Sequence, residues 1–427
     1  MEIRSYKLNK SEVLLVKGPA SVKAESKGLS ALGVNMSIGE KIIVRKNKVL
    51  PFEVNEDNSL VQVTLGEKGE SWVSYNKVGV RIWKDLEEKV LKNFQIGRKR
   101  IIIIGETDSG KSTLTSYLAN KALMRGLKTI IIDGDIGQGD LAPPGCIGAI
   151  LIKNKIYDLR DLEADILSFL GFTSPRYVRD LVIERMKKII SRIEEKEYDL
   201  CIINTDGYIV EEGMSYKVDM IKEFKPDIII CFKDTDKELF RRLKDFDNNS
   251  MVIVADRPEG VVKSSHERIE RRLSQYYRFL KDGKDLNVSL NKMKLSFMKD
   301  FYEFNPSKIE LEEFSHKLSS KIYFAKKTNN NKIIVFRSNF GDSVEIFDRF
   351  TIFNQNSLIG MFVGLGVNDD VFGFAQIRKL HPNQTITLNT NFKGKFDTLF
   401  LSSIRISLNL RNETILPIIR KNLQLGS

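Results

Sequence analysis

Ile101-Ile-Ile-Ile-Gly105-Glu-Thr-Asp-Ser-Gly110-Lys111-Ser112-Thr113 decides the fold. Four β-branched apolar residues predict a strand buried on both faces, a glycine-bounded loop follows, and Lys-Ser-Thr opens a helix. The spacing G-x-x-x-x-G-K-[ST] is that of a phosphate-binding loop. Its glycines allow a turn tight enough to aim backbone N–H groups inward, at the positive end of the helix that follows. In such a loop Lys111 reaches the β- and γ-phosphates and Ser112 holds Mg²⁺. The residues beyond agree: Leu114, Leu118 and Ala122 recur at helical spacing, and Gly126 stands where a left-handed C-terminal cap belongs.

Outward from this loop, residues 100 to about 256 alternate between short apolar runs and amphipathic stretches. Strands are predicted at 100–104, 129–133, 199–204, 227–232 and 250–255, and helices at about 177–195 and 236–246. Such alternation implies a parallel sheet with right-handed crossovers and a ligand site beyond the C-terminal strand ends. Before it, short strands around Val13, Lys41, Phe52 and Leu60 lie between glycine- and asparagine-rich turns, and a connecting helix runs from Trp83 to Leu91. Past about 290, strands return around Lys332, Met361, Thr385 and Ile404. The fold class is therefore α/β: a central P-loop NTPase domain with a parallel sheet, flanked by N-terminal and C-terminal all-β domains. The boundaries read as 1–88, 89–290 with a lid helix at about 262–280, and 291–427.

The 427 residues are too many for one ordinary core. Lys and Arg number 68 against 56 Asp and Glu, a net charge of +12, with a pI near 9.3. That excess favours a polyanionic partner such as nucleic acid, the alternative being a surface charged for solubility. Cys146, Cys201, Cys231, His266, His316 and His381 are scattered without C-x-x-C or H-x-x-x-H spacing. This disfavours a zinc site or a disulfide framework and fits a cytoplasmic location, or a nuclear one in a eukaryote. No apolar run follows Met1 and no stretch approaches eighteen apolar residues, so neither a signal peptide nor a membrane span is expected.

The strand after the phosphate-loop helix ends Asp133-Gly-Asp135-Ile-Gly-Gln138-Gly139. An adjacent strand in such a sheet delivers its last residues beside the phosphates, which places Asp135 or Asp133 near Mg²⁺ and the γ-phosphate. A carboxylate there can orient and deprotonate an attacking oxygen, or can serve only to bind metal-held water. No N-K-x-D motif follows, which disfavours a guanine-specific switch.

Together with the phosphate loop and Asp133–Gly139, the chain carries Pro144-Gly145, Gly171-Phe-Thr-Ser-Pro175, Asn204-Thr-Asp-Gly-Tyr208, and Val261-Val262 followed by Arg268-x-x-x-Arg272. This ordered set resembles the polynucleotide 5′-hydroxyl kinase family, RNA kinases of tRNA splicing, mRNA 3′-end formation and ribosomal-RNA processing, over nearly the whole chain. The resemblance implies ATP and Mg²⁺ at Gly105, Thr107, Asp108, Ser109, Gly110, Lys111, Ser112 and Thr113, with Ser112 and Asp135 holding the metal. It implies catalytic roles for Lys111, for Asp135 as the group that activates the 5′-hydroxyl, and for Arg268 and Arg272 of a lid. Substrate contacts fall to Gln138, Gly139, Thr173, Ser174, Thr205 and Gly207. The i, i+4 spacing sets both arginines on one helix face, as a clamp on phosphates needs; an exposed helix balanced by Glu267 and Glu270 is the plainer alternative. Glu106 stands where many members have proline, and Tyr208 where tryptophan is common. The N-terminal β domain is expected to help bind the base, through residues that the motifs do not identify.

The reading is thus an ATP-dependent kinase that phosphorylates the 5′-hydroxyl end of RNA, with DNA as a further acceptor and RNA-processing proteins as partners. The rival is a catalytically silent, ATP-bound scaffold of an RNA-processing complex. A regulatory switch ATPase, hydrolysing without an acceptor, is a third reading.

Overall fold

The computed structural model describes residues 1–75, 79–92, 97–233, 235, 237–246, 250–258, 263–339 and 341–421. They form two compact units. The first comprises Met1–Ala142, Ile147–Ile166 and Met186–Arg271; the second comprises Pro143–Cys146, Leu167–Arg185 and the chain from Arg272 on.

In the first unit the N-terminal residues build two small sheets. One orders strands Glu2–Leu8, Ser59–Leu65, Ala20–Ala24 and Lys41–Val44; the other runs through Val34–Asn35, Leu29–Ala31, Val49–Val54, Val13–Lys17 and Glu70–Ser74. Ser59–Leu65 alternates between buried and outward residues, the period-two signature of a strand with one face on a core. The phosphate-loop strand Lys99–Ile104 instead buries Ile101 through Ile104 completely, as a central strand covered on both faces must. It pairs parallel with Leu200–Thr205 on one side and Ile228–Phe232 on the other. Met251–Ala255 extends the parallel run.

Two features of this sheet depart from the sequence-based expectation. The sheet is mixed, because Cys146–Ile152 pairs antiparallel with Thr129–Gly134; its run Cys-Ile-Gly-Ala-Ile-Leu-Ile continues the chain after a proline turn and has no helix before it to force a parallel crossover. Thr129–Gly134 is also not the neighbour of the phosphate-loop strand. Leu200–Thr205 lies between them, pairing parallel with both. Asn204 thereby stands in register between Ile103 and Asp133.

The helix Lys111–Met124 buries Leu114, Leu118 and Ala122 as its spacing predicts, and also Tyr117, Ala119 and Asn120 on its other sides. Gly126 adopts φ +78° and terminates it. Asn120 is satisfied by donating to the carbonyls of Leu32 (3.0 Å) and Ile156 (2.8 Å) and accepting from Ile156 N–H (2.7 Å), which ties the N-terminal strands to this helix. Tyr117 donates to Glu87 at 2.7 Å. One apolar core runs from Leu14, Phe52 and Trp83 to Ile101, Leu118 and Ile202. The boundary at 88 remains a proposed module limit along the chain, since packing crosses it.

The second unit holds a seven-stranded sheet in the order Lys284–Ser289, Thr385–Thr390, Asp370–His381, Phe362–Val367, Thr398–Phe400, Lys294–Phe297 and Asp300–Tyr302. A five-stranded sheet orders Ile322–Lys327, Ile333–Arg337, Phe350–Asn354, Val344–Phe347 and Ile418–Lys421. The C-terminal part is β-rich without being all-β: Lys308–Lys317 is helical, opened by a capping box in which Ser307 and Glu310 exchange side-chain-to-backbone bonds. The lid helix spans Ser265–Leu280, and the chain passes from one unit to the other within it. Val261 and Val262 lie outside the described residues. Among the described residues no helix is long and apolar enough to cross a membrane.

Candidate active site

The phosphate loop departs from the C-terminal end of its strand and turns through two positive-φ residues, Asp108 (+60°) and Gly110 (+104°). The second conformation suits only glycine. Thr107 through Thr113 line a cavity of about 190 Å³ in the first unit, together with Asp135, Gln138, Asp140, Lys263 and Arg271. Lys111 is not a free surface lysine: it is 6% exposed and donates to the carbonyls of Gly105 (2.9 Å) and Glu106 (2.6 Å). Burial pushes its ammonium down to about 8, against the supporting charge of Asp135.

The structure separates the two aspartates. Asp133 is buried, accepting from Asn204 Nδ2 (2.9 Å), Asp140 N–H (2.6 Å) and Leu141 N–H (3.3 Å). It is a strut that closes the loop 133–141, and burial pushes its carboxyl up to about 6. Asp135 lines the cavity and caps its own turn through Oδ1, which accepts from Gly137 N–H (3.0 Å) and Gln138 N–H (2.9 Å). Burial raises its carboxyl above the usual range, as does the charge of Asp206, while Lys111 opposes the shift. Gly139 has no room for a side chain, since a Cβ would lie 2.7 Å from the Asp135 carbonyl.

Asn204 bridges the strand ends by donating to Asp133 and, at 3.4 Å, to Ser112 Oγ. Thr205, expected at the substrate, is fully buried and donates to the Ile103 carbonyl (2.8 Å), so its hydroxyl braces the sheet. Gly207 presses on the phosphate loop: a Cβ there would lie 2.3 Å from Thr107 Oγ1. Asp206 was missed by motif reading. It is 3% exposed, pairs with the fully buried Lys217 at 2.9 Å, and accepts from Tyr208 N–H (2.8 Å) and Tyr216 Oη (3.1 Å). Burial lowers the Lys217 ammonium below its ordinary range, and the neighbouring charge of Asp206 opposes that shift. The available signal was the placing of Lys217 on the apolar stripe that Tyr216, Met220, Ile221 and Phe224 form in the helix Glu212–Phe224.

On the lid, Arg268 pairs with Asp108 at 2.9 Å, and Lys263 meets the same carboxylate at 3.0 Å. Burial opposes the ionised form of Asp108, but these two cations hold its carboxyl below the ordinary range. Arg271, absent from the motif reading, binds Asp140 and lines the cavity. Arg272 leaves that cluster: in the second unit it pairs with buried Glu413 at 2.7 Å, which also accepts from Tyr276 Oη at 2.9 Å. Of the three lid arginines, Arg271 lines the cavity, while Arg268 meets Asp108 and Arg272 meets Glu413. Thr173 and Ser174 lie in the second unit, where Ser174 caps the turn Pro175–Tyr177.

Leu15, Val49, Pro51 and Trp83 form an apolar wall of the cavity from the N-terminal residues, and Pro258 adds to it from beyond the strand Met251–Ala255. Of the residues that line the cavity, Ser109 Oγ, Gln138 Oε1 and Arg271 Nε are buried without a hydrogen-bond partner among the described residues. The Ser109 hydroxyl and the Arg271 N–H are donors, which fit an anionic ligand such as a nucleoside triphosphate. Ser112 and Asp135 are oxygen donors suited to a hard cation such as Mg²⁺; among the described residues there is no cluster of three or more metal-ligating side chains.

Residues 105–282 match the family model described as mRNA cleavage and polyadenylation factor CLP1 P-loop. A polyribonucleotide 5′-hydroxyl-kinase of Pyrococcus abyssi is 32% identical over 45% of this chain and 53% of its own length. One from Methanocaldococcus jannaschii is 32% identical over 56% of this chain and 66% of its own. The chain spans about half the length of the first such relatives it matches. A solved Clp1p–Pcf11p complex contains a chain of the same fold, with a TM-score of 0.69 at 15% identity, covering 95% of this chain and 98% of that one. A P-loop of this family implies nucleotide binding.

Proposed function

We propose that this chain, a member of the polynucleotide 5′-hydroxyl kinase family, transfers the γ-phosphate of ATP to the 5′-hydroxyl end of RNA. The observation that carries the reading is the convergence on one cavity of the phosphate loop, Asp135, Gln138 and the lid cation Arg271.

The proposed chemistry follows from where these groups stand. Lys111 exchanges its two loop carbonyls for phosphate oxygens, whose negative charge opposes the effect of burial on its ammonium. The raised basicity of Asp135 suits it to take the proton of the acceptor hydroxyl. The hydroxyl oxygen then bonds to the γ-phosphorus as the bond to the β–γ bridging oxygen breaks, and ADP leaves. Ser112 and Asp135 are the residues that would hold Mg²⁺, whose charge lowers repulsion among the phosphates. Arg268 and Arg271 would turn from Asp108 and Asp140 to the equatorial oxygens that gain charge in transfer. Arg272 keeps a proposed lid role, Gln138 and Gly139 a place beside the terminal nucleotide, and Thr173 and Ser174 a place on the acceptor. Thr205 and Gly207 support that site by bracing its loop.

RNA-processing proteins are proposed partners, as Pcf11p is for the Clp1p of the solved complex, and a cytoplasmic, or in a eukaryote nuclear, location is proposed. The test is incubation with labelled ATP and oligonucleotides bearing a 5′-hydroxyl. Label is expected on RNA strands with a free 5′-hydroxyl and none on strands already 5′-phosphorylated; tight ATP binding without transfer to any strand would favour the scaffold.

A further inference from the structure

The second unit contains a groove of about 770 Å³ lined by residues from five separate segments. Four cations reach it from different elements: Arg176 from the turn Pro175–Tyr177, Lys299 from the turn before Asp300–Tyr302, Arg349 from the turn before Phe350–Asn354, and Arg420 from Ile418–Lys421. None of the four forms a salt bridge with a described residue. Four carboxylates also line it, Asp180, Glu184, Asp300 and Asp348, against seven basic side chains, the four above with Arg179, Lys332 and Lys421. Asp300 pairs with Lys332 at 2.7 Å, Asp348 with Lys317 at 2.7 Å, and Asp180 sits in the first turn of Arg179–Glu194, where the helix dipole favours it. Arg349 rests its guanidinium carbon 5.7 Å from the Phe350 ring centre, which fixes its direction without neutralising its charge. A solubility surface disperses like charges; here they converge on a concavity, which concentrates positive potential.

We propose that this groove binds backbone phosphates of a single-stranded polynucleotide. The inference rests on the kinase reading above and names a second surface for its acceptor. Ser174 accepts from Arg176 N–H at 3.4 Å, so the proposed acceptor contact and the first groove cation belong to one capped turn. Tyr177, 72% exposed in that same turn, offers a ring face on which any base can stack. Phosphates met by point charges and bases met by one ring give affinity without sequence readout. An acidic protein segment would meet the same charges but has no use for the exposed ring.

The test uses the full chain and its double variant Lys299→Gln/Arg420→Gln, both exposed side chains without structural partners, with thermal unfolding as the check on folding. Binding of a 3′-labelled twelve-nucleotide RNA and phosphorylation of a 5′-hydroxyl dinucleotide are measured across a salt series. The wild type is expected to bind the longer strand far more tightly than the dinucleotide. Removing two phosphate contacts should lower the slope of log affinity against log salt by about 1.4, weaken binding of the longer strand by about tenfold, and leave dinucleotide turnover unchanged. Unchanged binding of the longer strand by a folded variant that still phosphorylates the dinucleotide overturns the groove, as does unchanged binding joined to lost capture of a polyglutamate peptide. If the wild type phosphorylates neither strand, the kinase reading fails and the groove proposal falls with it.

Discussion

The sheet side and the lid side of the cavity hold their charged groups by different means. On the sheet side Asp133, Asp135 and Thr205 are bonded to backbone atoms of the loops and strands that carry them. Those bonds are made by groups that exist in any folded copy of the chain, so the carboxylates are placed before a ligand arrives. On the lid side Arg268, Lys263 and Arg271 are bonded to the carboxylates of Asp108 and Asp140. A phosphate oxygen can replace a carboxylate there with little change in geometry. In the reaction proposed above, the difference separates groups preorganised for the proton from groups held ready to move onto charge that develops during transfer.

Five changes would break or sharpen this contrast. Lys111→Ala should reduce transfer to an undetectable level, and because Lys111 is buried rather than free, a thermal melt must accompany the assay; full activity in folded protein would refute the site. Arg268→Ala with Arg271→Ala should lower kcat by about 10³, or about 4 kcal/mol, with a smaller effect on ATP binding. Arg272→Ala provides the comparison in single-turnover kinetics: an equal or larger loss there would return the second arginine to the position that the i, i+4 spacing first indicated.

Lys217→Met should destabilise the fold by about 3 kcal/mol because it leaves Asp206 buried and unpaired, and adding Asp206→Asn should recover much of that loss. Urea melts of the single and double variants decide it, and additive losses would dissolve the pairing argument. Asp135→Asn should lower kcat by about 10², near 2.7 kcal/mol, with nucleotide affinity nearly kept, whereas Asp133→Asn should act chiefly on stability. Finding the kinetic loss at Asp133 instead would exchange the two roles. The smallest effect is expected from Asp108→Asn, which frees Arg268 and removes a negative charge that competes with phosphate. The KM for ATP should fall by about two- to fivefold, in keeping with a modest ion pair.

Much of this arrangement was legible in the sequence, for reasons that differ by element. The phosphate loop, its strand and its helix depend on local features, namely a run of β-branched residues, glycines at fixed spacing and a 3.6-residue stripe. The capping box at Ser307 and Glu310 was equally local and marked a helix inside a stretch otherwise read as strands. Strand pairing is not local. Nothing in Thr129–Gly134 or Leu200–Thr205 states that the second will lie between the first and the phosphate-loop strand.

By itself the sequence determined that a strand, a glycine-bounded loop and a helix start at Lys111 follow one another, and that an aspartate stands near them, because backbone turns and helix starts follow from the residues that make them. Only the tertiary structure decided that Asp133 is the strut and Asp135 the pocket carboxylate, since the partners that separate them include Asn204 from another strand. It also divided the arginines, sending Arg271 to Asp140 and Arg272 to Glu413. Helical spacing sets the angle between two side chains, but the charge each one meets belongs to segments more than a hundred residues away.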